Sequence, residues 1–239
     1  MAWINRGAPT LGGTLAPSLS LVMDSQLYRK KIDVGVYSRL RIGIFDERER
    51  LVEEKELDSH SFLFNFIVLL YNMLTNQLAQ AKDIDGNVVT PQLLRKYVSK
   101  SYTIEYKTTT ISKYIAGWQA WALKEDDSHG ILIGRGTATV SPYDYRLADK
   151  IPHGIGSGKM VYLDCVVKTH EVVGNMAKLD IERRFVNFSG ETITVTEVGL
   201  AVYDVSSGRV ILIIRDLIEP TDVPDSYTMK VTYSIYVQV

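Results

Sequence analysis

From Asp33, the run DVGVYSRLRIGIFD alternates apolar and polar positions. Val34, Val36, Leu40, Ile42 and Ile44 fall on one face and Tyr37, Arg39 and Arg41 on the other, the period of a half-buried strand. DERERL then reads as a solvated turn, and LVEEKEL as an exposed strand returning beside the first. The C-terminal run YTMKVTYSIYVQV alternates as cleanly, with Val231, Tyr233, Ile235, Val237 and Val239 against Thr232, Ser234, Tyr236 and Gln238. Between these ends, strands are predicted in SYTIEYKTTTIS, GWQAWALK, GILIGRGTATVS, KMVYLDCVVKT, MAKLDIERRFVNF, ETITVTEVGLAVYD and RVILIIRDLIE, with SPYDYRLADKIPHGIGSG as a long loop. The last four strands are joined by the turn-rich NFSGE, DVSSGR and PTDVPDS, which implies an antiparallel sheet.

One run has helical character. DSHSFLFNFIVLLYNMLTNQLAQAK predicts a helix over about 59–82, with Asp58, Ser59 or Ser61 capping its start. Its first half is apolar nearly all round, interrupted by Asn65 and Asn72, so burial on several sides is expected. Asp85-Gly86 marks a turn, and Pro91 is placed to open a short helix through PQLLRKYVSK. Residues 1–22 are rich in Gly, Pro, Ser and Ala without a period. They read either as a disordered tail or as an arm that packs on a neighbouring subunit, since Trp3, Ile4, Leu11 and Leu15 exceed what a solvated tail needs. The expected fold is mainly β: an antiparallel β-sandwich with one long buried helix and an extended N-terminal arm (1–22), residues 23–239 forming a single domain. Nothing alternates strand with helix, so a doubly wound α/β fold is not expected.

Composition narrows the classes. The 239 residues are 46% hydrophobic and 23% charged with net charge −1, an ordinary globular balance that gives no electrostatic case for specific nucleic-acid binding. Fourteen tyrosines and frequent Thr, Val and Ile favour strands. No run approaches the ~20 apolar residues of a membrane span. The single cysteine, Cys165, sits at an apolar alternating position and reads as a reduced core thiol.

The stretch PHGIGSGKM suggests a phosphate loop and fails as one. His153 stands where the first glycine belongs, Met160 replaces the magnesium-binding hydroxyl, and a strand-like run follows where a helix is required. GILIGRGT lacks the third glycine of a dinucleotide fingerprint. His60, His129, His153 and His170 show no zinc-ligand spacing. No catalytic residue, cofactor or metal ligand is expected. Glu197, Arg215 and Arg183, in contrast, each fall on an apolar strand face, where a charge must be paired. A structural Glu197–Arg215 or Glu197–Arg183 pair is expected.

Several segments, in order, are similar to one known pattern. They are GILIGRGTATVSPYDYRLADKIPHG, RRFVNFSGETITVTEVGLAVYD, LIIRDLIEPTDV and TMKVTYSIYV, over roughly residues 130–239. A glycine-rich segment precedes DY.L, an N.SG turn precedes an E.GL strand, and an RD strand precedes a terminal V.Y.I strand. This resembles virion structural proteins of tailed phages and related archaeal viruses. The resemblance implies a non-enzymatic, homo-oligomeric building block at the neck, tail or capsid, assembled in the host cytoplasm, whose partners are its own copies and other virion proteins. The arm residues above, with His153 and Lys159 of the glycine-rich loop, are then the expected oligomer contacts. The alternative is a receptor- or glycan-binding module using Trp118, Tyr143 and Tyr145. A third reading is a hydrolase with an unrecognised site.

Overall fold

The computed structural model describes residues 35–59, 61–75, 78–91, 117–174 and 176–238. The expected arm, the short helix after Pro91 and the SYTIEYKTTTIS strand lie outside the described residues. In chain order the elements are β1 (Gly35–Phe45), β2 (Leu51–Ser59), α1 (Phe64–Thr75), β3 (Ala81–Lys82), β4 (Val88–Val89), β5 (Trp118–Gln119), β6 (Gly130–Gly134), β7 (Val161–Val167), β8 (Glu171–Val173), β9 (Met176–Val186), β10 (Ile193–Asp204), β11 (Arg209–Val223) and β12 (Thr228–Gln238).

The fold is mainly β, with antiparallel sheets and a single helix among the described residues. The first sheet runs β2-β1-β12-β9-β7, with β8 beside β9. Alternation sorts its faces: Leu40, Ile42, Ile44, Val231, Tyr233, Ile181 and Phe185 are buried. The other face carries ion pairs, among them Arg39 with Glu56 and Asp58 between β1 and β2, Lys178 with Asp180 along β9 and with Glu171 on β8, and Glu182 with Lys168 and Lys230. Partial burial works against their charge, yet Asp180 and Glu182 are held below their ordinary range, Asp180 by Lys178 and Ser234 and Glu182 by Lys168 and Lys230. The second sheet runs β11-β10-β5, with β6 also on β10, and β3 pairs with β4 as a separate hairpin.

The two sheets share one apolar core. Tyr233 on β12 donates its hydroxyl to Asp216 on β11 at 2.9 Å, and Ser59 on β2 donates to the same oxygen at 2.7 Å. Burial and the Asp216 charge push the Tyr233 phenol well above its ordinary range, so it remains a donor.

The last four strands pair antiparallel, but not in one sheet. The chain leaves the first sheet after β9, forms the β10–β11 hairpin in the second, and returns to the first as β12. Both crossings are tied at Asn187, which is fully buried. Its amide nitrogen donates to the Glu191 and Val223 carbonyls, and its backbone N–H and C=O engage Tyr227 and Ser226. β11 continues through Pro220 to Val223, where a turn was expected. Proline is tolerated there because β11 is the last strand in its sheet's order. GWQAWALK forms only the two residues of β5 and a single bridge from Ala122 to Cys165. GILIGRGTATVS stops being a strand at Gly134.

α1 is shorter than expected at both ends. Asp58 and Ser59 belong to β2 and cap nothing. Residues 61–63 run along β11 instead: Leu63 N–H donates to Ile213 O, and Phe62 bridges Ile214. Phe64 N–H is satisfied by Pro142 O. The helix is also inverted relative to its hydrophobicity. Its buried residues are Asn65, Val68, Leu69 and Asn72, while Phe64, Ile67, Tyr71 and Leu74 are exposed. Asn65 accepts from Lys82 N–H and donates to the Lys82 and Leu212 carbonyls. Asn72 likewise accepts from Ala79 N–H and donates to the Ala79 and Pro91 carbonyls. The two asparagines thus pair main-chain groups of the returning chain and of β11, of which the Leu212 and Pro91 carbonyls would otherwise be buried unpaired.

Asn65→Leu makes the inward face of α1 more apolar, yet strips Lys82 and Leu212 of their partner. Unfolding free energy is expected to fall by about 2 kcal/mol, read from urea denaturation. An unchanged midpoint would mean that Asn65 does not hold the β3 strand.

Candidate interaction site and the buried charges beneath it

The outward side of α1 is an apolar stripe. Phe64 is 48% exposed, Ile67 53%, Tyr71 47% and Leu74 73%. No residue of α1 carries a charge. At the N-terminal end, the Tyr143 ring lies 5.8 Å from that of Phe64 and is 73% exposed. A groove of about 310 Å³ is lined by both rings together with Asn65, Gln80, Ala81, Lys82 and Val88. Beyond the C-terminal end, Leu78 is also exposed. The sequence reading missed this site because it sought burial for every large apolar residue. The spacing of residues 64, 67, 71 and 74 was the available signal.

What holds Tyr143 in place is a buried charge cluster. Glu197 is fully buried. Its Oε1 accepts from Gly136 N–H at 3.0 Å and Asp149 N–H at 2.8 Å, and its Oε2 from Ala148 N–H at 3.1 Å. Arg215 Nε and Nη2 each lie 3.0 Å from Oε2. Arg215 also reaches Asp144 at 2.7 Å and the Ala138 carbonyl at 2.9 Å. One ion pair therefore fastens the loop 135–150 over the second sheet. The β10–β11 ladder slips between Val195 and Glu197 and again between Leu200 and Ala201, on either side of the Gly199–Arg215 pairing. Gly199 permits the fit: a Cβ there would sit 2.9 Å from Leu147 Cδ2 and 3.0 Å from Leu212 Cδ1.

Arg183 takes no part in this pair. It donates instead to the carbonyls of Leu163, His129, Ile131, Leu123 and Asp126, and its guanidinium lies 4.7 Å from the Tyr162 ring centroid. Main-chain oxygens thus replace a carboxylate, and burial lowers its pKa from the ordinary value. Cys165 lies in the same region, buried, with its thiol pushed up by burial and Ile131 N–H at 3.4 Å from Sγ.

The glycine-rich loop holds an anion of its own. Ser157 Oγ and Gly158 N–H both donate to Glu191 Oε1, at 2.7 and 3.0 Å, which draws that carboxyl below its usual range. Gly154, Gly156 and Gly158 all have positive φ, the conformation the turn demands. His153 is half-buried and accepts from Tyr162 N–H through Nδ1, and Lys159 is exposed. Trp118, half-buried, packs against the core, and its indole N–H has no acceptor among the described residues. Tyr145 is half-buried between Gly86 and Lys82, so of the three expected glycan contacts only Tyr143 is freely presented.

His129, in the segment Arg183 fastens, is buried. Its Nε2 faces Trp121 O at 2.9 Å, and its Nδ1 faces Ser128 Oγ at 2.8 Å and Asp126 at 3.4 Å. Burial outweighs Asp126 and lowers its pKa. Comparison with known protein families, curated proteins and solved structures finds no match to this chain.

Two predictions follow from the buried groups. Glu197→Gln leaves Arg215 and the loop amides short of a carboxylate. A loss of about 3 kcal/mol is expected, together with faster proteolysis within 135–150. His129 titrates below its unfolded value of about 6.5, so the unfolded chain takes up the proton first as pH falls. Its contribution is complete above that value and is lost on acidification toward the folded-state value. The melting temperature should therefore drop between pH 7 and 5.5, and His129→Gln should flatten that slope.

Proposed function

We propose that this chain is a non-enzymatic structural component of a tailed-virus particle, a β-sandwich that assembles with copies of itself. The observation that carries the reading is the uncharged, outward apolar face of α1, continued by Tyr143. Large apolar side chains grouped on one exposed face are characteristic of protein–protein contact surfaces. The sandwich is supported by groups that reach from one sheet to the other: Tyr233 to Val198 and Asp216, Arg183 to Ile131, and Cys165 to Ile131. The non-enzymatic reading is supported by where the buried charges are spent. Glu197 and Arg215 hold each other, the half-buried Asp144 and the main chain of the loop, and Arg183 holds main-chain carbonyls.

Placement in a virion, at neck, tail or capsid, rests on the resemblance of the C-terminal half. The residues that carry it serve structure here. Asp144 of DY.L, Glu197 of E.GL and Arg215 of RD form the buried cluster, Asn187 of N.SG ties the crossings, and Tyr233 of V.Y.I bridges the sheets.

The full chain is expected to sediment as a discrete oligomer at tens of micromolar. A monomer at that concentration would overturn the assembly reading.

A further inference from the structure

Two cations of the layer over the second sheet have no partner in the fold. The Lys82 ammonium and the Arg146 guanidinium each lie 5.5 Å from the centre of the Tyr145 ring. Neither forms an ion pair or a side-chain hydrogen bond among the described residues. Carboxylates stand close by in the sequence, but most are committed elsewhere. Asp83 holds its own turn and faces Arg209, Asp144 is held by Arg215, and Asp149 faces Arg135. Asp85, at the hairpin turn, is exposed and pairs with neither cation. This differs from the first sheet, where Arg39, Lys178 and Lys230 are each opposed by a carboxylate.

Both cations border open space. Lys82 lines the groove of about 310 Å³ that is walled by Phe64 and Tyr143, with the exposed Gln80 on its rim. Arg146 lines a second opening of about 380 Å³, together with Leu147 and Lys150. Tyr145 meets both cations, so the two openings are neighbours. Each is near the lower limit of small-ligand sites, with room for one ring-sized unit.

We propose that this strip binds an acidic saccharide, two units long, whose carboxylate or sulfate groups are held by Lys82 and Arg146. The planar Arg146 fork suits a bidentate oxyanion, and Lys82 supplies a point charge. One sugar ring lies against Tyr143, which is 73% exposed and offers an apolar ring with a hydroxyl at its tip. The Gln80 amide is left for a sugar hydroxyl. A nucleic-acid strand is a poor match: it calls for a continuous row of cations along its phosphates, and Asp85, Asp144 and Asp149 interrupt this one. The site adjoins the α1 face at Tyr143, but its charges belong to β3 and the loop, so it does not rest on the assembly reading.

The test titrates the full chain with sialyllactose, which carries a carboxylate, and with a sulfated heparin disaccharide, followed by amide NMR and calorimetry. At least one is expected to bind with a millimolar Kd or tighter, and neutral lactose about tenfold more weakly or worse. Lys82→Met and Arg146→Met should each weaken the acidic probe about tenfold, because each removes a charge-assisted hydrogen bond. Both variants should keep the wild-type melting curve and sedimenting mass, and Tyr143→Ala should also lose the probe. The proposal is overturned if neither acidic probe binds, if lactose binds as well as they do, or if both methionine variants keep full affinity. Tighter binding of oligothymidylate or of a polyglutamate peptide would assign the cations to another class of partner and also overturn it. The wild-type sedimenting mass enters none of these outcomes, so this proposal and the assembly reading fail separately.

Discussion

A carboxylate with no access to water has to be surrounded by donors, and Glu197 is surrounded by three main-chain N–H groups and a guanidinium. That requirement organises one side of the molecule. The three amides belong to Gly136, Ala148 and Asp149, at the two ends of a loop with no regular structure of its own. Without the carboxylate each would lose this partner, and the amide of Gly136 would be buried unpaired, at a cost comparable to a lost hydrogen bond. Arg215 then neutralises Glu197 and extends the tie to Asp144 and Ala138, in the middle of the loop. The next residue, Asp216, accepts from Ser59 and Tyr233 of the other sheet. Two consecutive residues of β11 therefore join the covering loop, the second sheet and the first. Desolvating these charges costs free energy that apolar packing would not. What they supply is a fixed position for an otherwise irregular segment, including the tyrosine it presents.

Arg183 meets the same requirement in another way. No ion pair to it is formed among the described residues, and five carbonyls take its donors. Those carbonyls come from 123–131 and from β7, so this arginine does for the segment before β6 what Glu197 does for the segment after it. A planar guanidinium with its donors in a fixed fork suits a ring of carbonyls, which a lysine could not satisfy at the same geometry.

The sequence was legible where one face of a strand is apolar and the other polar. Alternation in β1 and β12 places Leu40, Ile42, Val231 and Tyr233 correctly, and charge on the apolar runs singled out Glu197, Arg215 and Arg183. It was not legible where a neighbour decides. Pairing across β10 and β11 depends on ladder slips that no periodicity announces, so which arginine would meet Glu197 stayed open. The linkers after β9 and β11 look like hairpin turns, yet they carry the chain between sheets because Asn187 ties them side by side. The helix misled most. Hydrophobicity alone would bury Phe64 and Ile67, but the returning chain brings the Lys82, Ala79 and Pro91 main-chain groups to the inner face, and only the asparagines can pair them.

That inversion leaves a consequence for the outer surface. A helix that spends its polar residues inward must turn apolar ones outward, unless the sequence supplies charges there. The first sheet shows what this protein does with a face meant for water: Arg39, Arg41, Lys178, Glu182 and Lys230 lie along it in opposed pairs. Along α1 the chain places Phe, Ile, Tyr and Leu outward instead, and a nearby loop, pinned by a buried ion pair, holds one more aromatic beside them. Leaving such a face bare in water forfeits roughly 25 cal/mol for each Å² of apolar surface that a partner could cover. Solvation has been arranged with charge on one face and withheld on the other.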